Sequence, residues 1–353
     1  MAKKEVVVEK TDLEKERQKK FDEKIARLKK AGYTDCLQVI NGDPKPMKRF
    51  SSGHPALDLA LGGGVPRGKV IECYGAESSG KSSLCIEAAA AFQKASPDDP
   101  AVLYVDFEHS FDPSYAKALG IDLSRVVVAQ PDTAEDGMNL MIDSIDEFKL
   151  IICDSVAAMT SKAEIEKNVG ESTVCELARI MSTGLRQIVG KTGGDDDTTF
   201  IFVNQIRDKI GGYGNPTTTP GGKALKFYSS IRVEAVPTEK HVDKKGNFIA
   251  RTTKFKVVKN KTSPPFREAE VRIAFGEGFD VITGIFDVAV KAGVIVKKGV
   301  WFTYGTTLIQ GEDAFISKLK EDQKLFDEIS LKCGGGVSEI AGIETEDEVP
   351  EEV

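Results

Sequence analysis

The residues best equipped for chemistry are Gly75-Ala76-Glu77-Ser78-Ser79-Gly80-Lys81-Ser82, which fit the pattern G-x-x-x-x-G-K-[ST]. Glycines at these two positions let successive backbone N–H groups curl around an anion, and a helix N-terminus beyond them adds partial positive charge. Lys81 can then reach the β- and γ-phosphates of a bound nucleotide and Ser82 can present its hydroxyl to Mg²⁺; Ser83, one residue past the pattern, is counted with them as a candidate ATP contact. So short a pattern needs context. Val70-Ile71-Glu72-Cys73-Tyr74 reads as a strand before it, and Ser83 to Phe92 is rich in helix formers after it. A structural glycine turn ahead of a buried helix is the competing reading; strand, loop and helix together favour nucleotide binding.

Three further apolar runs end in polar residues. Ala101 to Val105 leads into Asp106-Phe107-Glu108, Leu150 to Cys153 into Asp154-Ser155, and Phe200 to Val203 into Asn204-Gln205. Asp154 suits the Mg²⁺ shell beside Ser82, its alternative being a helix N-cap. Glu108 is the candidate for positioning or deprotonating an attacking water, with Asp106, two residues back, as rival. A side-chain amide at Gln205 could donate to a γ-phosphate oxygen. Gln205 leads into a polar loop, Gly211 to Gly222, flanked by Arg207, Lys209, Lys223 and Lys226. Backbone amides, threonines and lysines there suit polynucleotide phosphates, while Ile210 and Tyr213 could meet bases. A solvated loop with incidental lysines is the plainer alternative.

The elements that must position these groups follow from the pattern. Continuous apolar strands alternating with helical segments imply an α/β fold with a mostly parallel central sheet covered on both faces. Ligands of such sheets bind at the carboxyl ends of the strands, where the polar residues converge. Ile231 to Val236, Phe255 to Val258 and Val271 to Phe275 read as a β extension of the same sheet. After Gly278, short helices and a hairpin near Gly299 to Ile309 suggest a small C-terminal α/β domain, 279–333. The ATPase and DNA-binding core is expected over 49–278, and a disordered acidic tail over 334–353, opened by Gly334-Gly335-Gly336. At the other end, 1–48 reads as a charged helical arm and linker. Its helix starts at Thr11-Asp12-Leu13-Glu14 and stops near Gly32. The stripe of Leu13, Phe21, Ile25 and Leu28 is thin, so the helix needs a surface, either its own core or a neighbouring subunit.

Net charge is −7, which at first argues against nucleic acid. The distribution reverses that. Glu339, Glu344, Glu346, Asp347, Glu348, Glu351 and Glu352 account for the whole deficit. Asn204 to Arg232 holds five basic residues against Asp208 alone, a local surplus of the kind phosphate contacts require. Scattered cysteines without a C-x-x-C pair read as reduced core residues of a cytoplasmic protein, and no apolar run approaches membrane-spanning length.

Taken together, the phosphate-loop segment, Asp106-Phe107-Glu108-His109, Asp112-Pro113-Ser114-Tyr115, Asp154-Ser155-Val156-Ala157-Ala158, Asn204-Gln205-Ile206-Arg207, Gly221-Gly222-Lys223-Ala224-Leu225-Lys226-Phe227-Tyr228 and Val257-Val258-Lys259-Asn260-Lys261 closely resemble the bacterial RecA recombinases in order and spacing. The resemblance runs from about Ser51 to Cys333. It implies a RecA-like P-loop ATPase core that forms an ATP-dependent helical homo-oligomer on single-stranded DNA and exchanges strands with a homologous duplex. It makes Glu108 the catalytic base, Gln205 the γ-phosphate sensor, and Asp112 and Tyr115 adenine contacts. It assigns Lys259 and Lys261 to a neighbour's ATP, with Phe227 in subunit coupling. Its first DNA loop falls at Glu164 to Val174, with Arg179 and Arg186 behind; Ile210 matches a residue wedged between base triplets. Relatives also engage single-strand-binding protein, mediators and a self-cleaving repressor. Three departures stand out: the first 48 residues match poorly, Asp208 puts a negative charge in the second loop, and Val236-Pro237 replaces a basic pair. A secondary duplex site would then rest on Lys254 and Lys256. The alternatives are a ring-forming helicase or packaging motor and a non-enzymatic ATP sensor.

Overall fold

The first described element is a helix, α1, Asp12–Leu28, which continues as a π-helical segment, Lys29–Tyr33. Gly32 breaks it with a φ of 91°, where the glycine stop is expected. Leu13, Phe21 and Leu28 on this helix are exposed. The computed structural model describes residues 12–34, 37, 39, 46–167, 175–193, 198–208 and 217–341. By contacts the chain forms two units, Met1–Pro46 and Met47–Val353.

The second unit begins with β1 (Arg49–Phe50), α2 (Pro55–Leu61) and β2 (Val65–Pro66), then enters the main sheet at β3 (Val70–Gly75), followed by α3 (Lys81–Ala95). Next come β4 (Val102–Asp106), α4 (Pro113–Ala118), β5 (Val126–Ala129), α5 (Ala134–Asp143) and β6 (Leu150–Asp154). Then α6 (Lys162–Ile165), α7 (Glu176–Lys191) and β7 (Thr199–Gln205) lead to a two-rung ribbon, β8 (Arg207–Asp208) with β9 (Thr217–Thr218). After α8 (Ala224–Tyr228) the long strands β10 (Ile231–Val242), β11 (Phe248–Asn260) and β12 (Glu268–Ala274) run antiparallel to one another, closed by β13 (Gly278–Phe279). The chain finishes with α9 (Val281–Lys291), the meander β14 (Val296–Lys298), β15 (Trp301–Tyr304), β16 (Thr307–Gln310), and the helices α10 (Glu312–Glu321) and α11 (Gln323–Ala341).

The main sheet has nine strands in the order β13-β12-β11-β10-β3-β7-β6-β4-β5. From β10 to β5 every neighbouring pair is parallel, and the expected β extension is its antiparallel flank. Strand period sorts the apolar residues between two faces. Ile71, Tyr104 and Ile152 join Ala89 and Phe92 of α3 in one core; Leu103, Ile151 and Phe202 join Met138 of α5 and Leu185 of α7 in the other. Both faces being buried, these strands read as unbroken apolar runs.

A third cluster, with Phe286, Phe302 and Phe315 at its centre, gathers the C-terminal elements. It draws in Ala56 and Leu59 of α2, so the C-terminal segment is seated on the core's own second helix. The glycine triplet 334–336 lies inside α11 and does not end it. Leu325, Ile329 and Cys333, at helical spacing, bury one face in the third cluster, and propagation from a packed helix costs little per added residue. The acidic residues from Glu344 onward lie outside the described residues.

Candidate nucleotide cleft and basic face

β3 delivers the glycine loop to the carboxyl edge of the sheet, and α3 starts at Lys81 itself. Gly80 caps that helix at φ 86°, and a Cβ there would stand 2.3 Å from Ile273 Cδ1. Only glycine serves at this position, where the loop turns left-handed against β12. The Lys81 ammonium donates to the Ala76 carbonyl at 2.6 Å and reaches Ser79 Oγ at 3.5 Å, so it lies folded across its own loop. A cleft of about 350 Å³ opens beside it, lined by the loop from Glu77 to Ser83 and by Glu108, Tyr115, Asp154, Gln205 and Arg251.

Neighbouring parallel strands bring the carboxylates together; Asp106 on β4 is directly beside Asp154 on β6. Asp154 accepts the Tyr104 hydroxyl at 2.7 Å and is also hydrogen-bonded by Ser82. Burial holds its carboxyl above the usual carboxylate range; those two donors oppose the shift, and Glu108 and Asp106 add to it. Glu108 Oε1 accepts from Ser155 Oγ, and from Gln205 Nε2 at 3.1 Å. The candidate base, the candidate sensor and the residue after the candidate metal ligand thus meet at one oxygen. Asp106 is occupied otherwise. It accepts from the backbone N–H groups of Glu108 and Phe111 and from Gln130, and does not line the cleft. Of the two acids, Glu108 lines the cleft, and Asp106 holds the turn that presents it.

Ser82 and Asp154 offer a hydroxyl and a carboxylate oxygen side by side, hard donors that fit Mg²⁺ completed by water and phosphate oxygens. On the far wall Tyr115 shares a hydrogen bond with Ser83 at 3.0 Å. Asp112 caps α4 by accepting from the Ser114 and Tyr115 N–H groups, so it seats Tyr115 and is not itself among the lining residues. Arg251, Thr253, Ile273, Phe275 and Gly276 had no place in the sequence-based site. β11 brings in Arg251, and β12 with the turn after it brings in Ile273, Phe275 and Gly276, while Thr253 is buried behind the loop. Arg251 and Thr253 are two apart on one strand face and donate to the Ser78 and Ser79 carbonyls. Period-2 alternation could have paired them; only the strand order reveals what they face.

The basic residues form an exposed face. Arg179 and Arg186 project from α7, Lys223 and Lys226 from the start of and within α8, and Arg207 from β8. Gly221 and Gly222, both at positive φ, return the chain onto the core so closely that a Cβ at Gly222 would stand 2.8 Å from Ala178 Cβ. Lys209, Ile210, Tyr213 and the stretch 168–174 lie outside the described residues. Phe227 is 66% exposed. Lys259 donates to the Lys226 and Phe227 carbonyls at 2.8 and 3.0 Å, and burial, then the charges of Lys261 and Arg232, push its ammonium down to about 8. Neither Lys259 nor Lys261 lines this chain's cleft. Lys254 lies between Glu268 and Glu270 at 3.4 and 3.2 Å, in partly exposed ion pairs.

A buried pair joins the two regions. Glu72, fully buried on β3, takes Arg232 at 2.5 Å and the Asn204 amide at 3.2 Å; the same amide donates to the Pro220 carbonyl at 3.1 Å. Asn204 thereby ties the end of the basic loop to the strand that carries Gln205.

An α/β sheet with a glycine-loop cleft at its carboxyl edge and an antiparallel flank defines the class: a RecA-type domain. The RecA N-terminal domain family matches residues 19–280 and the RecA C-terminal domain family residues 283–333. Protein RecA of Corynebacterium aurimucosum is 43% identical over 323 residues, covering 90% of this chain and 84% of that protein. Protein RecA of Arthrospira platensis is 40% identical over 346 residues, covering 95% and 93%. The chain belongs to the RecA family. Membership carries a recombinase role, with ATP hydrolysis as its chemistry and DNA as its ligand. No helix among the described residues is long and apolar enough to cross a membrane.

Proposed function

We propose that this chain is a DNA-dependent ATPase that assembles as a helical filament on single-stranded DNA, pairs that strand with a homologous duplex and exchanges strands. The observation that carries the reading is the Gln205–Glu108 hydrogen bond at the end of β7, with Arg207 and the basic loop following directly. Glu108, held by Ser155 and Gln205, is placed to orient and deprotonate a water. The loop N–H groups and Lys81 would bind the β- and γ-phosphates of ATP, and Ser82 with Asp154 would hold Mg²⁺, which offsets phosphate charge.

Gln205 Nε2 carries two N–H donors, one of them given to Glu108, so a γ-phosphate oxygen that turns the amide toward itself competes with Glu108 for that donor. When ATP binds, transfer of that donor to phosphate frees Glu108 for water and shifts the strand end from which the basic loop departs. DNA holding the loop would act back on Gln205 by the same route, since coupling between two sites is reciprocal. Lys259, Lys261 and Phe227, turned away from their own cleft, suit contact with the next protomer, and the arm at 1–48 suits packing on it. The small C-terminal domain at 279–333 and the acidic tail would lie outside that contact. Solution in the cytoplasm, with single-strand-binding protein, mediators and a repressor as accessory partners, completes the reading.

The test is ATP hydrolysis by the full chain with and without single-stranded DNA, beside Lys81→Ala. Stimulation by the strand, lost in Lys81→Ala, is expected. Equal turnover with and without DNA refutes the coupling, and wild-type turnover by Lys81→Ala refutes the site.

A further inference from the structure

Arg251 enters the cleft from β11, where it is directly opposite Lys240 on β10 and Ile273 on β12. Like charges across one rung oppose folding. Among the described residues no carboxylate lies within ion-pair distance of Arg251. Its Nη1 donates to the Ser78 carbonyl, and Thr253 Oγ1, on the same strand face, donates to the Ser79 carbonyl at 3.0 Å. A peptide unit is planar and trans, so a carbonyl aimed at β11 sends the following N–H the opposite way. The Ser79 and Gly80 N–H groups are therefore turned to the inner side of the loop, where an anion is cradled. A guanidinium has five donors in a fixed plane, and the Ser78 carbonyl takes only one.

We infer that Arg251 is a nucleotide-binding residue supplied by the same chain: it sets the phosphate loop through Ser78 and lends its charge to the phosphates of a bound nucleoside di- or triphosphate. The inference rests on the nucleotide reading of this cleft and adds a cation outside the G-x-x-x-x-G-K-[ST] segment. A planar fork suits phosphate oxygens better than a lysine would, and it can keep one donor on the carbonyl while turning others to the ligand. With Lys81 at the loop's inner end and Arg251 at its outer one, a single protomer holds two cations for one polyphosphate. Nucleotide could then bind before any neighbour contributes Lys259 or Lys261.

The experiment is calorimetric titration of MgADP into the full chain at several salt concentrations, for wild type, Arg251→Gln, Arg251→Lys and Lys81→Ala, with far-UV circular dichroism on each. Arg251→Gln is expected to bind about tenfold more weakly and with a shallower dependence on salt. Arg251→Lys should restore the salt dependence but only part of the affinity. Equal affinity in wild type and Arg251→Gln overturns the inference while leaving the cleft's assignment standing. Weaker binding with an unchanged salt dependence also overturns it, because a purely structural latch would act so. Should Arg251→Gln fail to fold, a wild-type affinity and shallow salt dependence in Arg251→Lys would count against it equally. If wild-type protein takes up no MgADP at all, the nucleotide reading itself fails.

Discussion

The cleft and the basic face lie on either side of β7 and follow opposite rules. In the cleft, Asp154 and Lys81 are only 1% and 8% exposed, and each is held by short hydrogen bonds from or to its own neighbours. On the face, Arg179 is 77% exposed, and its one ion pair among the described residues, with Glu176, is 4.0 Å long. Cutting a phosphate bond needs atoms fixed to within fractions of an ångström, and buried strand ends provide that. Holding any sequence of single strand needs charge that adapts, and loops and exposed helix faces provide that. Asn204 and Gln205, adjacent on one strand, are where the rigid region touches the adaptable one.

Glu108→Gln should break the cleft while sparing the face, and it carries the largest expected effect. The amide is isosteric but cannot take a proton, so hydrolysis should fall by about 10²- to 10⁴-fold while ATP still binds and DNA complexes persist. Single-turnover hydrolysis and equilibrium nucleotide binding separate the two. Turnover close to wild type would return the role to another group, and Asp106, committed to two backbone amides and Gln130, would have to leave its turn to take it.

Lys226→Ala reaches the other region and should change affinity, not chemistry. Removing one cation that neutralises a phosphate lowers the slope of log affinity for single-stranded DNA against log salt by about one. Affinity at moderate salt should drop several-fold. A slope identical to wild type would mean that Lys226 meets water, not phosphate, and that the exposed face is merely soluble surface.

The same contrast governs what could be read from the sequence. The cleft's near wall was legible because a glycine loop, a Lys-Ser pair and polar strand ends are local features, and parallel strands bring their carboxyl ends together without further information. How Glu108 and Asp106 differ was not legible by spacing alone: both sit at one strand end, and only the structure shows three donors converging on Asp106 while Glu108 lines the cleft. Arg251 and Thr253 were invisible for a different reason. They reach the loop through a β11–β10–β3 neighbourhood about 170 residues distant in sequence, and long-range strand order leaves no local signature. The glycine triplet at 334–336 misled because composition argued for a break, while burial of Leu325, Ile329 and Cys333 had already committed the helix.

The smallest effect is the sharpest probe of the cleft's electrostatics. Tyr104, buried on β4, donates to Asp154 at 2.7 Å and so favours the ionised form of a carboxyl that burial holds above its usual range. Tyr104→Phe removes that donor and leaves the ring's packing against Phe111 in place. The charged form loses a hydrogen bond, so the carboxyl is held higher still. Protonated Asp154 is a poor ligand for Mg²⁺, so the acid limb of kcat/KM for ATP hydrolysis should move to higher pH, with the alkaline plateau kept. DNA binding measured without nucleotide should keep its wild-type salt dependence, because nothing on the basic face has changed. An acid limb that stays put in Tyr104→Phe would show that the titration limiting turnover belongs to a different carboxylate, with Glu108 the next to examine by the same profile.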